Sequence, residues 1–197
     1  MSEQLLPGYY IRVGSGLERA LLVKFMQRTY QEILLEQDFS HLARTVEQYF
    51  SKETPLWWVE FLGREAGELG TPTKWGLGEA GAAGAAEGKF LRQNQRLPHS
   101  SPSIVACLWV GNAVDQVQGD RHAHIFLLYV VPEHRRRGIG TALMRYLENW
   151  ARARGDRQIG LQVFQSNKNA LNLYNQLGYQ TQSLWMVKPL YPETLME

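Results

Sequence analysis

Seven consecutive apolar residues, Ile125 to Val131, run into Pro132-Glu133-His134-Arg135-Arg136-Arg137-Gly138-Ile139-Gly140-Thr141. The apolar run is rich in β-branched and aromatic types and too short for a core helix or a membrane span, so it predicts a buried strand that Pro132 ends. From Ile139 the apolar positions recur as Ala142, Leu143, Tyr146, Leu147, Trp150 and Ala151. That spacing of three and four lays one stripe of a helix against a sheet, and Gly155 stops it.

The segment between strand and helix carries the chemistry. First-turn N–H groups of a helix lack internal partners and carry the positive end of its dipole, so they can hold phosphate oxygens. Gly138 and Gly140 remove the Cβ atoms that would keep a ligand off the backbone. Arg135, Arg136 and Arg137 add charge-assisted donors, and the whole suits a pyrophosphate. Taken alone, RxxGxG also matches solvated basic turns by chance. Here strand, glycines and amphipathic helix stand in the required order.

A second segment narrows the ligand. Ile159 to Phe164 is another short β-prone run, followed by Gln165 to Tyr174 and a helix stop at Leu177-Gly178-Tyr179. The chain here resembles the GNAT N-acetyltransferase superfamily. That family's acetyl-CoA signature, R/Q-x-x-G-x-G/A, matches Arg135, Gly138 and Gly140. Its later NxxAxxLY…GF-like pattern matches Asn167, Ala170, Leu173, Tyr174, Gly178 and Tyr179. The resemblance is firm from Ile104 to Leu190. It implies a mixed, mostly antiparallel central sheet with helices on both faces, in one α/β domain spanning residues 1–197.

Composition bounds the rest. A chain of 197 residues with 44% hydrophobic and 20% charged residues is sized and balanced for one well-buried domain. A formal charge of +2 gives no basic field of the kind that marks a nucleic-acid binder, so any phosphate site is local. No metal-ligand cluster stands out. The single cysteine, Cys107, sits among apolar neighbours and reads as a buried small hydrophobe. With no leader pattern and no spanning run, the expectation is a cytoplasmic protein with no membrane or nucleic-acid partner.

In chain order, Tyr9 to Val13 reads as the first strand. Ser15-Gly16-Leu17-Glu18 fits a capping box opening a helix to about Gln31, and a second helix is expected from Leu42 to Phe50. By the resemblance these helices cover the acceptor pocket, shaped by Tyr30, Ile33, Leu34, Phe39 and His41. Leu56–Leu62 and Ser103–Val110 read as strands. The roughly 63–102 stretch between them, rich in Gly and Ala, reads as a flexible insert. Its Gly76, Gly78 and Gly81 spell GxGxxG without the flanking strand and helix that a dinucleotide site requires. Lys89, Arg92 and Arg96 make its end basic. A turn is expected over Gly111 to Asp120, and strand alternation puts His122, His124, Phe126, Leu128 and Val130 on one face.

The resemblance implies acetyl-CoA as co-substrate and a primary amine, on a small molecule or a protein, as acceptor, with assembly as a homodimer left open. It implies that pantetheine pairs with the strand around Leu128, Tyr129 and Val130. Leu128 N–H would donate to the thioester oxygen, and Arg136 to Thr141 would supply N–H groups to the pyrophosphate. Asn167 and Tyr174 would complete the cofactor site. Tyr174, with an ordinary value near ~10, is the candidate acid for the departing thiolate. His124 stands where some family members carry a catalytic glutamate, and is the candidate base ahead of Glu133 and Asp115. Two other readings are a non-catalytic acyl-CoA-binding module that engages a partner protein, and a nucleotide binder, which lacks the expected GK[ST] lysine.

Overall fold

Pro7 and Gly8 turn the chain back on itself, so the strand expected at Tyr9 is preceded by another. In the computed structural model, which describes residues 2–34, 37–62 and 102–190, β1 (Ser2–Leu6) pairs antiparallel with β2 (Tyr9–Val13). A Pro-Gly pair is a strong turn signal. The polar start of β1, all exposed from Ser2 to Gln4, hid the strand behind it. The capping box forms as expected: Glu18 accepts from Ser15 N–H at 2.7 Å. It opens a short 3-10 turn, and the α-helix proper, α1, runs Arg19–Ile33.

After α2 (Leu42–Tyr49), the strands β3 (Leu56–Phe61), β4 (Ser103–Val114) and β5 (Arg121–Val130) extend the sheet in sequence order. Then α3 (Ile139–Arg154) crosses over to β6 (Ile159–Leu161), which lies parallel to β5, and α4 (Lys168–Gln176) follows. The sheet is thus mixed and mostly antiparallel. The long insert at 63–102, with Lys89, Arg92, Arg96 and its three-glycine pattern, lies outside the described residues up to 101.

Helices cover both faces. On one, α3 buries Ile139, Leu143, Met144 and Leu147 against Val59, Leu108 and Ile125, with Leu173 and Tyr174 of α4 packed beside them. On the other, α1 and α2 bury Leu22, Phe25, Leu42 and Val46 against Trp58, Cys107 and Trp109. Each fully buried aliphatic or aromatic side chain contributes roughly 1.5–3 kcal/mol of transfer free energy, so these two layers dominate stability.

Two expectations are corrected at β4 and β5. The chain does not turn at Gly111: β4 continues to Val114, and Asp115–Gly119 makes the turn, with Asp115 accepting from Val117 and Gln118 N–H at 2.7 and 3.1 Å. Nor does β5 alternate regularly. Trp109 pairs with Leu127 and the next residue, Val110, pairs with Ile125, so Phe126 is an extra residue, a β-bulge. Ile125 therefore faces α3 while Phe126, Leu127 and Tyr129 face α1 and α2. Leu128 and Val130 pack on the α3 side, opposite the face of His124 and Phe126. Glycine at 111 makes the bulge possible, because a Cβ there would sit 2.1 Å from the Phe126 ring.

Candidate active site

The bulge falls where β5 parts from β6. Their parallel pairing ends at Ile125 with Leu161, yet β5 continues to Val130, and the segment from Gln162 to Phe164 leaves the sheet. The run expected as strand to Phe164 is therefore strand only to Leu161. Val131 N–H donates to Val105 at 2.9 Å, so by strand alternation Tyr129 faces β4 and the N–H and C=O of Leu128 and Val130 face the parted edge. Among the described residues no further strand pairs with that edge.

At its end the chain enters the arginine-glycine turn. Arg136 adopts φ 61° and Gly138 φ 80°, both left-handed, ahead of helical Ile139. Alternating handedness of this kind gathers N–H groups into an anion-binding concavity. Gly138 is the N-cap of α3 and has no side chain with which to cap it, so the first-turn N–H groups through Thr141 are left to a ligand. Gly140 has a second reason to be glycine: a Cβ there would stand 3.2 Å from Leu173, so the missing side chain lets α4 close on the start of α3.

The three arginines part company. Arg136 is exposed at the turn. Arg137 donates to Tyr9 Oη at 3.1 Å, and that hydroxyl is 3.0 Å from His134 Nδ1. Burial, and then the Arg137 charge, hold His134 below the ordinary histidine value, which leaves Nδ1 free to accept the tyrosine proton. Arg135 turns to the other face: its Nε donates to Val130 O at 2.8 Å and a terminal nitrogen to Glu32 Oε2 at 2.6 Å. Tyr129 donates to the other oxygen of Glu32 at 2.7 Å, and burial followed by that bond pushes its phenol up to about 12. Tyr9 and Glu32 thus hold the turn from both sides, and neither is evident in sequence because both contacts span long separations.

Asn167 caps α4, its side chain accepting from Ala170 N–H at 3.1 Å. Tyr174 stands on that helix on the α3 side of the sheet, and burial pushes its phenol up to about 12. His124 lies on the opposite face, 5.6 Å from the Phe126 ring centre to centre. Burial, and then the charge of His122, lower its value. Both imidazoles crowd Gly160 of β6, where a Cβ would be 3.1 Å from His122 Nε2 and 3.4 Å from His124 Nδ1. Of the weaker base candidates, Asp115 is committed to its turn, and Glu133 lines an open depression of about 370 Å3 with Arg28 and His134.

The family model for the acetyltransferase (GNAT) family matches residues 24–179. The chain belongs to the GNAT family. The parted β5/β6 edge, the uncapped α3, α2 and α1 from Lys24 onward fall within that match. Among curated relatives, it is similar to an uncharacterised N-acetyltransferase of Methanocaldococcus jannaschii, 36% identical over 74 residues, which are 38% of this chain and 31% of that one. It is also similar to the thialysine N-epsilon-acetyltransferase of Mus musculus, 38% identical over 60 residues, covering 30% of this chain and 35% of that one. The match thus spans about a third of the length of those relatives. A protein of Clostridium acetobutylicum described as a predicted acetyltransferase, solved with acetyl-CoA, shares the fold at a TM-score of 0.59, with 16% identity over 92% of this GNAT chain and 96% of that one.

Proposed function

We propose that this GNAT protein transfers the acetyl group of acetyl-CoA to a primary amine by direct attack within a ternary complex. The observation that carries the reading is the continuity of two open backbone surfaces. The free edge of β5 at Leu128 leads to the uncapped N-terminus of α3 at Gly138–Thr141, with one titratable side chain on each face of the sheet between them.

The residues fit the co-substrate. N–H groups from Arg136 to Thr141, with the exposed Arg136, suit its pyrophosphate. The Leu128 N–H is directed to the parted edge, where it would donate to the thioester oxygen as negative charge develops there. Val130 would pair through its N–H, because its carbonyl already accepts from Arg135.

The amine nitrogen attacks the carbonyl carbon, the C–S bond breaks, and the electron pair leaves on sulfur. His124, held neutral by burial, takes the proton that the amine loses, directly or through a water. Tyr174 keeps its proton at neutral pH and would donate a hydrogen bond to the departing sulfur. A thiol ordinarily ionises near ~8.5, so complete transfer from a phenol at about 12 runs uphill. Tyr174 therefore acts mainly as a hydrogen-bond donor to the thiolate, which takes its proton from water. The buried, unpaired thiol of Cys107 accords with a reducing compartment such as the cytoplasm.

The test is release of free CoA thiol on adding a primary amine. Amine-dependent release should fall by ~10²–10³-fold in Tyr174→Phe, the scale for losing one donor to developing charge, while acetyl-CoA still binds. Normal turnover by that variant would remove Tyr174 from the reaction, whereas acetyl-CoA binding by the wild type with no amine-dependent release would favour the binding-module alternative.

A further inference from the structure

Of the three arginines in the turn, Arg137 is held in a way the others are not. Its partner Tyr9 stands in β2, which is paired on both sides, to β1 at Leu6 and to β3 at Phe61, and the residue is only 5% exposed. The phenol is therefore fixed to the sheet, 128 residues away in sequence from the guanidinium that donates to it at 3.1 Å. Arg135 meets a carboxylate, Glu32, which offsets its charge, and Arg136 is exposed. A neutral hydroxyl takes one of the five guanidinium N–H donors without offsetting the charge of Arg137.

The hydroxyl has one proton to give, and the group that takes it decides what the oxygen can accept. His134 Nδ1 lies 3.0 Å away, with the imidazole edge-on to Tyr9 and Phe61 at 5.7 and 4.9 Å between ring centres. Around this imidazole stand Tyr9 and Phe61 from the sheet, Glu133 and Arg137 from the turn, and Arg28 of α1 in the depression they share. A neutral imidazole accepts the tyrosine proton, which leaves the oxygen's lone pairs to Arg137. A charged one would donate instead, and two cations would then face each other across one oxygen.

We propose that Tyr9 and His134 are positioning residues for acetyl-CoA: His134 orients the Tyr9 hydroxyl, the hydroxyl holds the Arg137 guanidinium beside the start of α3, and Arg137 binds a phosphate there. The proposal rests on the acetyl-transfer reading for the identity of the ligand and adds the residues that prepare its site. Holding a long side chain in place beforehand lowers the ordering cost of binding, so loss of the hold appears in affinity and not in the number of sites.

Calorimetric titration of acetyl-CoA at neutral pH into the wild type, Tyr9→Phe, Arg137→Gln and the double variant tests it. Tyr9→Phe should raise Kd roughly 10-fold at unchanged stoichiometry, the scale for losing a hydrogen bond to a charged group. Arg137→Gln should raise Kd at least as much and the double variant no further, because Tyr9 acts through Arg137. His134→Leu should reproduce Tyr9→Phe, whereas His134→Asn, whose amide oxygen can take the same proton, should keep most of the affinity. An unchanged Kd in Tyr9→Phe, with or without a fall in stoichiometry, marks a purely structural tyrosine and overturns the proposal. Losses that multiply in the double variant, or His134→Asn as weak as His134→Leu, overturn it as well, and all of these leave acetyl-CoA binding standing. Failure of the wild type to bind acetyl-CoA overturns the transfer reading and this proposal with it.

Discussion

The Arg135 guanidinium donates to the Glu32 carboxylate at 2.6 Å, joining the signature turn to α1 across 103 residues of chain. Both side chains are 37% exposed, so the pair contributes only ~0–1 kcal/mol to stability. Its effect is on position. Arg135 is stacked on the Tyr129 ring at 5.4 Å and bonded to Val130 O, so Glu32 fixes the end of the open β5 edge rather than leaving Arg135 to reach for phosphate.

Glu32→Ala should therefore leave the thermal midpoint nearly unchanged and weaken acetyl-CoA binding several-fold, read by calorimetry. Unchanged binding would show that the Glu32 contact does not position the site, and tighter binding that Arg135 serves better when released, as a direct phosphate ligand.

A base must be neutral to accept a proton, so the rate, plotted against the concentration of neutral amine, should rise with pH through the His124 titration. Burial and His122 place that limb below the ordinary ~6.5. His122→Asn removes one of the two causes and should move the limb upward, whereas His124→Ala should abolish it. The same depression means that the unfolded chain binds this proton more readily, so stability falls as pH drops through the window. A limb that survives His124→Ala would assign the base elsewhere.

Gly111→Ala puts a Cβ 2.1 Å from the Phe126 ring, at the bulge that turns β5. Overpacking of this kind costs ~1–3 kcal/mol, or roughly 2–12 °C in thermal midpoint for a chain of this size. A midpoint unchanged in the variant would show that Phe126 can move aside and that the bulge does not depend on glycine.

Much of this site is local in sequence and was legible there. The strand, the Arg135–Gly140 turn and the α3 stripe lie within one stretch. What escaped the sequence depends on pairing between distant segments. The bulge at Phe126 exists because Gly111 on β4 yields space, and period-two reading of β5 alone puts Leu128 on the wrong face. The anchoring roles of Tyr9 and Glu32 appear only once β2 and α1 are folded against the turn. The Pro7-Gly8 turn was visible, yet the polar Ser2-Glu3-Gln4 gave its outer strand no apolar pattern to read.

The central claim is that the open N-terminus of α3 holds the phosphates of acetyl-CoA, and Thr141→Glu tests it most directly. An acidic side chain in the first turn of a helix favours the helix, by ~0.3–1 kcal/mol, but repels a bound anion. Calorimetric titration of acetyl-CoA into the folded variant should show affinity reduced at least ~10-fold with the thermal midpoint maintained or raised. Wild-type affinity in the folded Thr141→Glu protein would contradict the account and place the phosphates elsewhere.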